Sequence, residues 1–149
     1  GTPYKEVDLT SLIPFSECYK EIVNRLKSWT MTEHDEQATL FAIASYRPEL
    51  RWMFAIPNGG YRTKATAGKM AAEGVKAGVW DIYLPRPSNG YHGLFIEMKY
   101  GKNKLTELQQ EFFEYATQQG YCCKVAYSAE EAIEIIDDYL GLNDDEPTC

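Results

Sequence analysis

The stretch from Val79 to Lys99 constrains this chain more than any other. Val79-Trp80-Asp81-Ile82-Tyr83-Leu84 and Gly93-Leu94-Phe95-Ile96-Glu97-Met98-Lys99 read as two strands, and Pro85-Arg86-Pro87-Ser88-Asn89-Gly90 between them is a turn cluster. The pattern predicts a β-hairpin. Side chains alternate faces along a strand, so Glu97 and Lys99 share one face while Met98 takes the other. Pairing Asp81 opposite Glu97, with residues 86–92 as the loop, gathers Ile82, Leu84, Leu94, Ile96 and Met98 on one apolar face. Asp81, Glu97 and Lys99 then occupy the opposite face. A slip of one residue breaks both patterns, so hydrophobicity and charge specify the same register.

Two carboxylates brought to one spot repel unless a cation lies between them. With a lysine beside them they suit metal-assisted attack on a phosphate ester, the chemistry of a nuclease. Oxygen donors, without a thiolate or imidazole cluster, favour Mg²⁺ or Mn²⁺, one or two per site, over zinc. The plainer reading of the same residues is a cross-strand salt bridge on a solvated sheet face. Glu-x-Lys alone is common; its combination with Asp81 in matched register is what favours catalysis.

Glu36 precedes Leu40 and Ile43 at i+4 and i+7, which puts a carboxylate on an apolar helical stripe. Burial without a partner is costly, so Glu36 is expected either as a further metal ligand or as an acid favoured in a helix's first turn. Gln109 is expected to complete a capping box with Thr106, or to reach back toward the site and hold phosphate or water. Asn58 and Gly59, in a turn where backbone passes close to a ligand, together with Arg62, Lys64, Lys69, Lys102 and Lys104, are the candidate DNA contacts.

The net charge of −7 argues against a nucleic-acid partner until its distribution is read. Residues 105–149 hold eleven acids and one base, Lys124, whereas residues 62–104 hold eight bases and three acids. Two of those three acids are Asp81 and Glu97, so the segment carrying the proposed site is locally basic, as a phosphate backbone requires. Cys18, Cys122, Cys123 and Cys149 lack zinc spacing and are expected as free thiols in a reducing cytoplasm. No apolar run is long enough to cross a membrane, and no secretory leader pattern opens the chain.

Helical spacing over 16–29 (Tyr19, Ile22, Val23, Leu26, Trp29) predicts a first helix, and Thr32 caps a second that runs to about Tyr46. Leu50–Pro57 is expected as a strand, and Arg62–Glu73 as a helix stopped by Gly74. After the hairpin come a helix from Thr106 to about Gln119, a strand over Tyr121–Tyr127, and a last helix. That helix opens on a Ser128/Glu131 capping box and turns Ala132, Ile133, Ile136 and Leu140 inward. The order α, α, β, α, β, β, α, β, α predicts an α/β fold with a mixed four-stranded sheet flanked by helices. Residues 141–149 are expected as a flexible acidic tail.

At these residues the chain resembles the VRR-NUC family of the PD-(D/E)xK nuclease superfamily. The resemblance runs through Glu33-His34-Asp35-Glu36-Gln37, Ile56-Pro57-Asn58-Gly59-Gly60, Glu73 to Asp81, Phe95-Ile96-Glu97-Met98-Lys99 and Leu105-Thr106-Glu107-Leu108-Gln109, in order across 31–140. It makes 31–140 the main domain and implies that 1–30 is an N-terminal extension. It implies a restriction-endonuclease-like core and Mg²⁺- or Mn²⁺-dependent hydrolysis of DNA phosphodiesters. Asp81 and Glu97 match the metal-binding acids, the Met98 carbonyl the main-chain ligand, and Lys99 the motif lysine. Glu36 matches the first-helix acid and Gln109 the downstream glutamine, while Trp80 stands where the family usually has proline. Stand-alone members of phage or prophage type imply a homodimer acting on branched DNA such as four-way junctions. A flap or single-strand nuclease, or a DNA-binding module with a vestigial site, are the alternatives.

Overall fold

Two capping boxes fix the helices that flank the sheet. The Thr32 hydroxyl accepts the Asp35 N–H at 3.2 Å, and the Asp35 carboxylate accepts the Thr32 N–H at 2.9 Å, opening α1 (Glu33–Ala44). Thr106 and Gln109 do the same for the later helix α3 (Glu107–Gln118), at 3.2 and 3.0 Å. The computed structural model describes residues 17, 20, 22, 32–58 and 63–143. Of the helix expected over 16–29, only Glu17, Lys20 and Ile22 fall within that range; they are helical and exposed.

The remaining elements are β1 (Phe54–Ala55), α2 (Lys64–Ala72), β2 (Ile82–Leu84), β3 (Leu94–Met98), β4 (Cys122–Ala126) and α4 (Ala129–Leu140). The four strands form one mixed sheet in the order β1-β2-β3-β4. β1, β2 and β3 pair antiparallel, whereas β3 and β4 run parallel, joined through α3. Ile82 faces Ile96 and Leu84 faces Leu94, the register that the alternation predicts.

That register places Ile82, Leu84, Leu94, Ile96 and Met98 in the main core, against Leu40 and Ile43 of α1 and Ala132, Ile136 and Tyr139 of α4. The other sheet face packs Trp80, Phe95 and Cys123 against Phe112, Phe113 and Ala116 of α3. Each fully buried aliphatic side chain contributes roughly 1.5–3 kcal/mol. The apolar face therefore sets the register, and the charged face is held in place by it. Among the described residues no helix is long and apolar enough to cross a membrane.

Three expectations need correction. Leu50 to Met53 is not strand: Pro48–Leu50 is a 3₁₀ turn, closed by Arg51 N–H to Pro48 O at 3.2 Å. Pro48 presets φ for the turn, and buried Arg47 anchors it with 2.7 Å ion pairs to Glu49 and Asp137. On α4, Leu140 packs half-buried against the core as expected, and Tyr139, whose hydroxyl donates to the Arg86 carbonyl, is fully buried beside it. Only half of the capping box on that helix forms: Ser128 accepts the Glu131 N–H, and the next amide, the Ala129 N–H, is satisfied from outside the helix by Glu36. Finally, Cys122 is disulfide-bonded, although Cys123 is a free, buried thiol. Neighbours on a strand face opposite ways, so the two meet different surroundings, and local spacing does not reveal a partner brought close by the fold.

Candidate active site

The ladder between β2 and β3 ends at the Ile82–Ile96 pair, and carboxylates take over from backbone carbonyls beyond it. Asp81 N–H donates to Glu97 Oε2 at 3.1 Å, and Met98 N–H donates to Asp81 Oδ2 at 2.9 Å. Each acid is thus tied to the other's strand. The Asp81 carbonyl in turn accepts the Ile56 N–H at 2.6 Å, which fastens the chain leaving β1 to the same point. Lys99, held by its own N–H to Ala126 O at 2.9 Å, brings its ammonium to 3.7 Å from Glu97 Oε1. The structure therefore unites Asp81, Glu97 and Lys99.

Electrostatics at this spot are strained. Burial pushes the Glu97 carboxyl up to about 8, with the Asp81 charge adding to the rise and the Lys99 ammonium opposing it. Burial also raises Asp81, against the Met98 N–H bond, the bond to Glu97 and the Lys99 charge, all of which favour its ionised form. Without a cation the pair prefers to keep one proton, on Glu97.

A fourth residue completes the ring. Gln109 donates through Nε2 to Glu97 Oε1 at 2.7 Å, while its Oε1 serves the capping box of α3. Gln109 thus completes the capping box and also reaches back toward the site, where it contacts the Glu97 carboxylate. Trp80, fully buried, donates its indole N–H to the Gln109 carbonyl at 3.0 Å and stacks on Phe113 with centroids 5.8 Å apart. Trp80 is thus what pins the first turn of α3 to the chain entering β2. Its size and position beside Asp81 were the signal available in the sequence.

On α1 the helical phase separates two acids. Glu36 is buried, and its Oε2 accepts the Ala129 N–H at 2.7 Å, so it caps α4 from across the core. Glu33, His34 and Gln37 instead line a cleft of about 540 Å³ whose opposite wall includes Ala55, Ile56, Asn58 and Asp81. Glu36, one turn on from Glu33, is turned with Leu40 and Ile43 toward the core, so of the two acids it is Glu33 that lines the cleft. Among the described residues no group of three or more His, Cys, Asp or Glu side chains converges as a metal cage.

A solved structure described as a VRR_NUC domain protein superposes on this chain with a TM-score of 0.65. It is 30% identical, and the match covers 78% of this chain and 93% of that one. The chain belongs to the VRR-NUC domain family. No family profile matches the chain, and no curated protein does.

The candidate DNA contacts of this VRR-NUC domain fall into three groups. Asn58 is in the cleft, where its side-chain amide donates to the Val79 carbonyl and so spans the approach to Asp81. Lys102 and Lys104 are exposed on the loop that runs from β3 into α3, beside the strand end that carries Lys99. Lys64 and Lys69 project from α2, a helix with no buried residue. Gly59 and Arg62 lie outside the described residues. His92 precedes the far end of β3, where it packs on Tyr121 and receives Gly120, roughly 16 Å along the strand from Glu97.

Proposed function

We propose that this VRR-NUC domain is a Mg²⁺- or Mn²⁺-dependent endonuclease that hydrolyses DNA phosphodiester bonds. The observation that carries the reading is the Asp81–Glu97 pair with Lys99 at 3.7 Å from Glu97. Two carboxylates that share a proton, Asp81 lining a cleft and Glu97 buried beside it, match the donor set of a hard divalent ion, which one or two carboxylates plus water suffice to hold. Asp81 and Glu97 would hold it, with the Met98 carbonyl and, across the cleft, Glu33. The ion supplies charge neutralisation on the phosphate and acidifies the attacking water.

The chain's own groups supply the rest. Gln109 and the Asp81 N–H fix both oxygens of Glu97, so the acid meets substrate in one orientation. Lys99 orients water on the Glu97 side and stabilises negative charge as it builds on the phosphate. Asn58, Lys102 and Lys104 hold the flanking backbone.

The substrate we propose is branched DNA such as a four-way junction, cut by a homodimer. Two identical sites related by a two-fold axis suit the paired cuts that such a junction needs. A cleavage panel of junction, flap, splayed, linear duplex and single-stranded DNA, with Mg²⁺, Mn²⁺ or chelator, tests the reading alongside a solution mass. Junction cutting that needs a divalent ion and is lost in Glu97→Ala and Lys99→Ala supports it. Wild-type cutting by either variant refutes the site, and a preference for flaps or single strands refutes the junction.

A further inference from the structure

A second groove, of about 390 Å³, is lined by residues that include Phe41, Tyr46, Arg47, Arg51 and Met53. Phe41 also lines the cleft that holds Asp81, so the two depressions meet at that ring. Two large rings flank this groove without cover: Tyr46 is 80% exposed and Trp52, between lining residues Arg51 and Met53, is 71% exposed. The Arg51 guanidinium lies 5.2 Å over the Trp52 ring. Single exposed aromatics are ordinary, but two beside a stacked guanidinium at one groove are not scattered exposure.

The charge pattern narrows what fits. Arg47 spends its charge on Glu49 and Asp137 within the fold. Arg51 makes no ion pair among the described residues. An apolar partner would strip water from that guanidinium and return nothing. A phosphate answers it with charge-assisted hydrogen bonds, and a base stacks on an indole or phenol whatever its sequence. The support is rigid, because the 3₁₀ turn holds Arg51 through Pro48 O and Met53 through Leu50 O at 3.2 and 3.0 Å.

We propose that Tyr46, Arg51 and Trp52 form a stacking subsite for unpaired nucleotides of a DNA strand leaving the Asp81 cleft. The proposal rests on the nuclease reading of the Asp81 cleft and not on the junction substrate, whose arms are fully paired; it adds that a strand left unpaired next to the cut, as in a flap or an opened branch, is recognised directly.

The test compares a duplex carrying a single-stranded tail with the same duplex blunt-ended, by fluorescence anisotropy in a Glu97→Gln background. Adding Trp52→Ala should weaken the tailed duplex roughly tenfold and leave the blunt one unchanged, while Trp52→Tyr restores binding. Tyr46→Ala should repeat the contrast, which guards against a folding defect confined to one variant. An equal effect on both DNAs, or none, overturns the subsite. So does a fall in solution mass on Trp52→Ala, which would make the patch a contact between copies. Failure of the Glu97→Gln protein to bind any DNA would instead sink the nuclease reading, and the subsite with it.

Discussion

Gln109 holds Glu97 and the end of a helix with one side-chain amide: Nε2 donates to Glu97 Oε1 at 2.7 Å while Oε1 accepts the Thr106 N–H at 3.0 Å. Gln109→Glu keeps the acceptor for Thr106 but sets a second carboxylate against Glu97. We expect near-normal melting and a clear loss of metal-dependent cleavage. Gln109→Ala should lose cleavage and about 1 kcal/mol of stability as well. Thermal unfolding beside plasmid nicking separates the two, and wild-type nicking by Gln109→Glu would show that the amide donor is dispensable.

Metal-free stability should fall as pH rises. Glu97 is held near 8, against an ordinary glutamate value of 4.5 that the unfolded chain recovers. Across that window the folded state binds the extra proton, so its stabilising effect is full below about pH 4.5 and is lost as pH climbs toward 8. The loss is on the order of a few kcal/mol. Urea midpoints in chelator at pH 5 and pH 8 measure it, and Mn²⁺ should restore more stability at the higher pH. Equal midpoints in chelator would contradict the shared-proton description.

Glu33 and Glu36 should separate cleanly under substitution. Glu36→Ala strips the acceptor from the Ala129 N–H at the buried start of α4 and should cost about 1–2 kcal/mol, with cleavage by the folded fraction retained. Glu33→Ala, exposed in the cleft, should change stability by less than about 0.5 kcal/mol yet reduce cleavage. Calorimetric melting and initial cleavage rates decide, and the reverse pattern would return the role to Glu36.

Gly78 cannot carry a side chain. A Cβ there would stand 2.7 Å from Leu108 Cβ and 2.8 Å from the Leu108 carbonyl oxygen, at φ +92°. Gly78→Ala should therefore cost more than about 1 kcal/mol and displace the first turn of α3 that carries Gln109. A lowered melting temperature with impaired cleavage is expected; an unchanged melting temperature would mean that the loop adjusts freely.

What sequence revealed here follows from the range of each interaction. Alternation on both hairpin strands gave Asp81, Glu97 and Lys99 their common side, Thr32 as an N-cap gave α1 its start, and a four-residue capping pattern gave α3 its own. The partner of Glu36 lies 93 residues downstream, so no local pattern discloses it. Choosing Glu33 over Glu36 needs the course of β1, and β1 is far shorter than its apolar run because Pro48 and buried Arg47 turn the chain first. Trp80 reads as a bulky substitution until α3 is seen packed across it.

Because β3 lies inside the sheet, between β2 and β4, its amides are bonded on both flanks. Protons on Glu97, Met98 and Lys99 should therefore exchange with solvent only when the whole domain opens, whereas the two-residue edge β1 breathes locally. The machinery is mounted on the slowest part of the molecule, and any give needed to admit substrate must come from the α1–β1 wall.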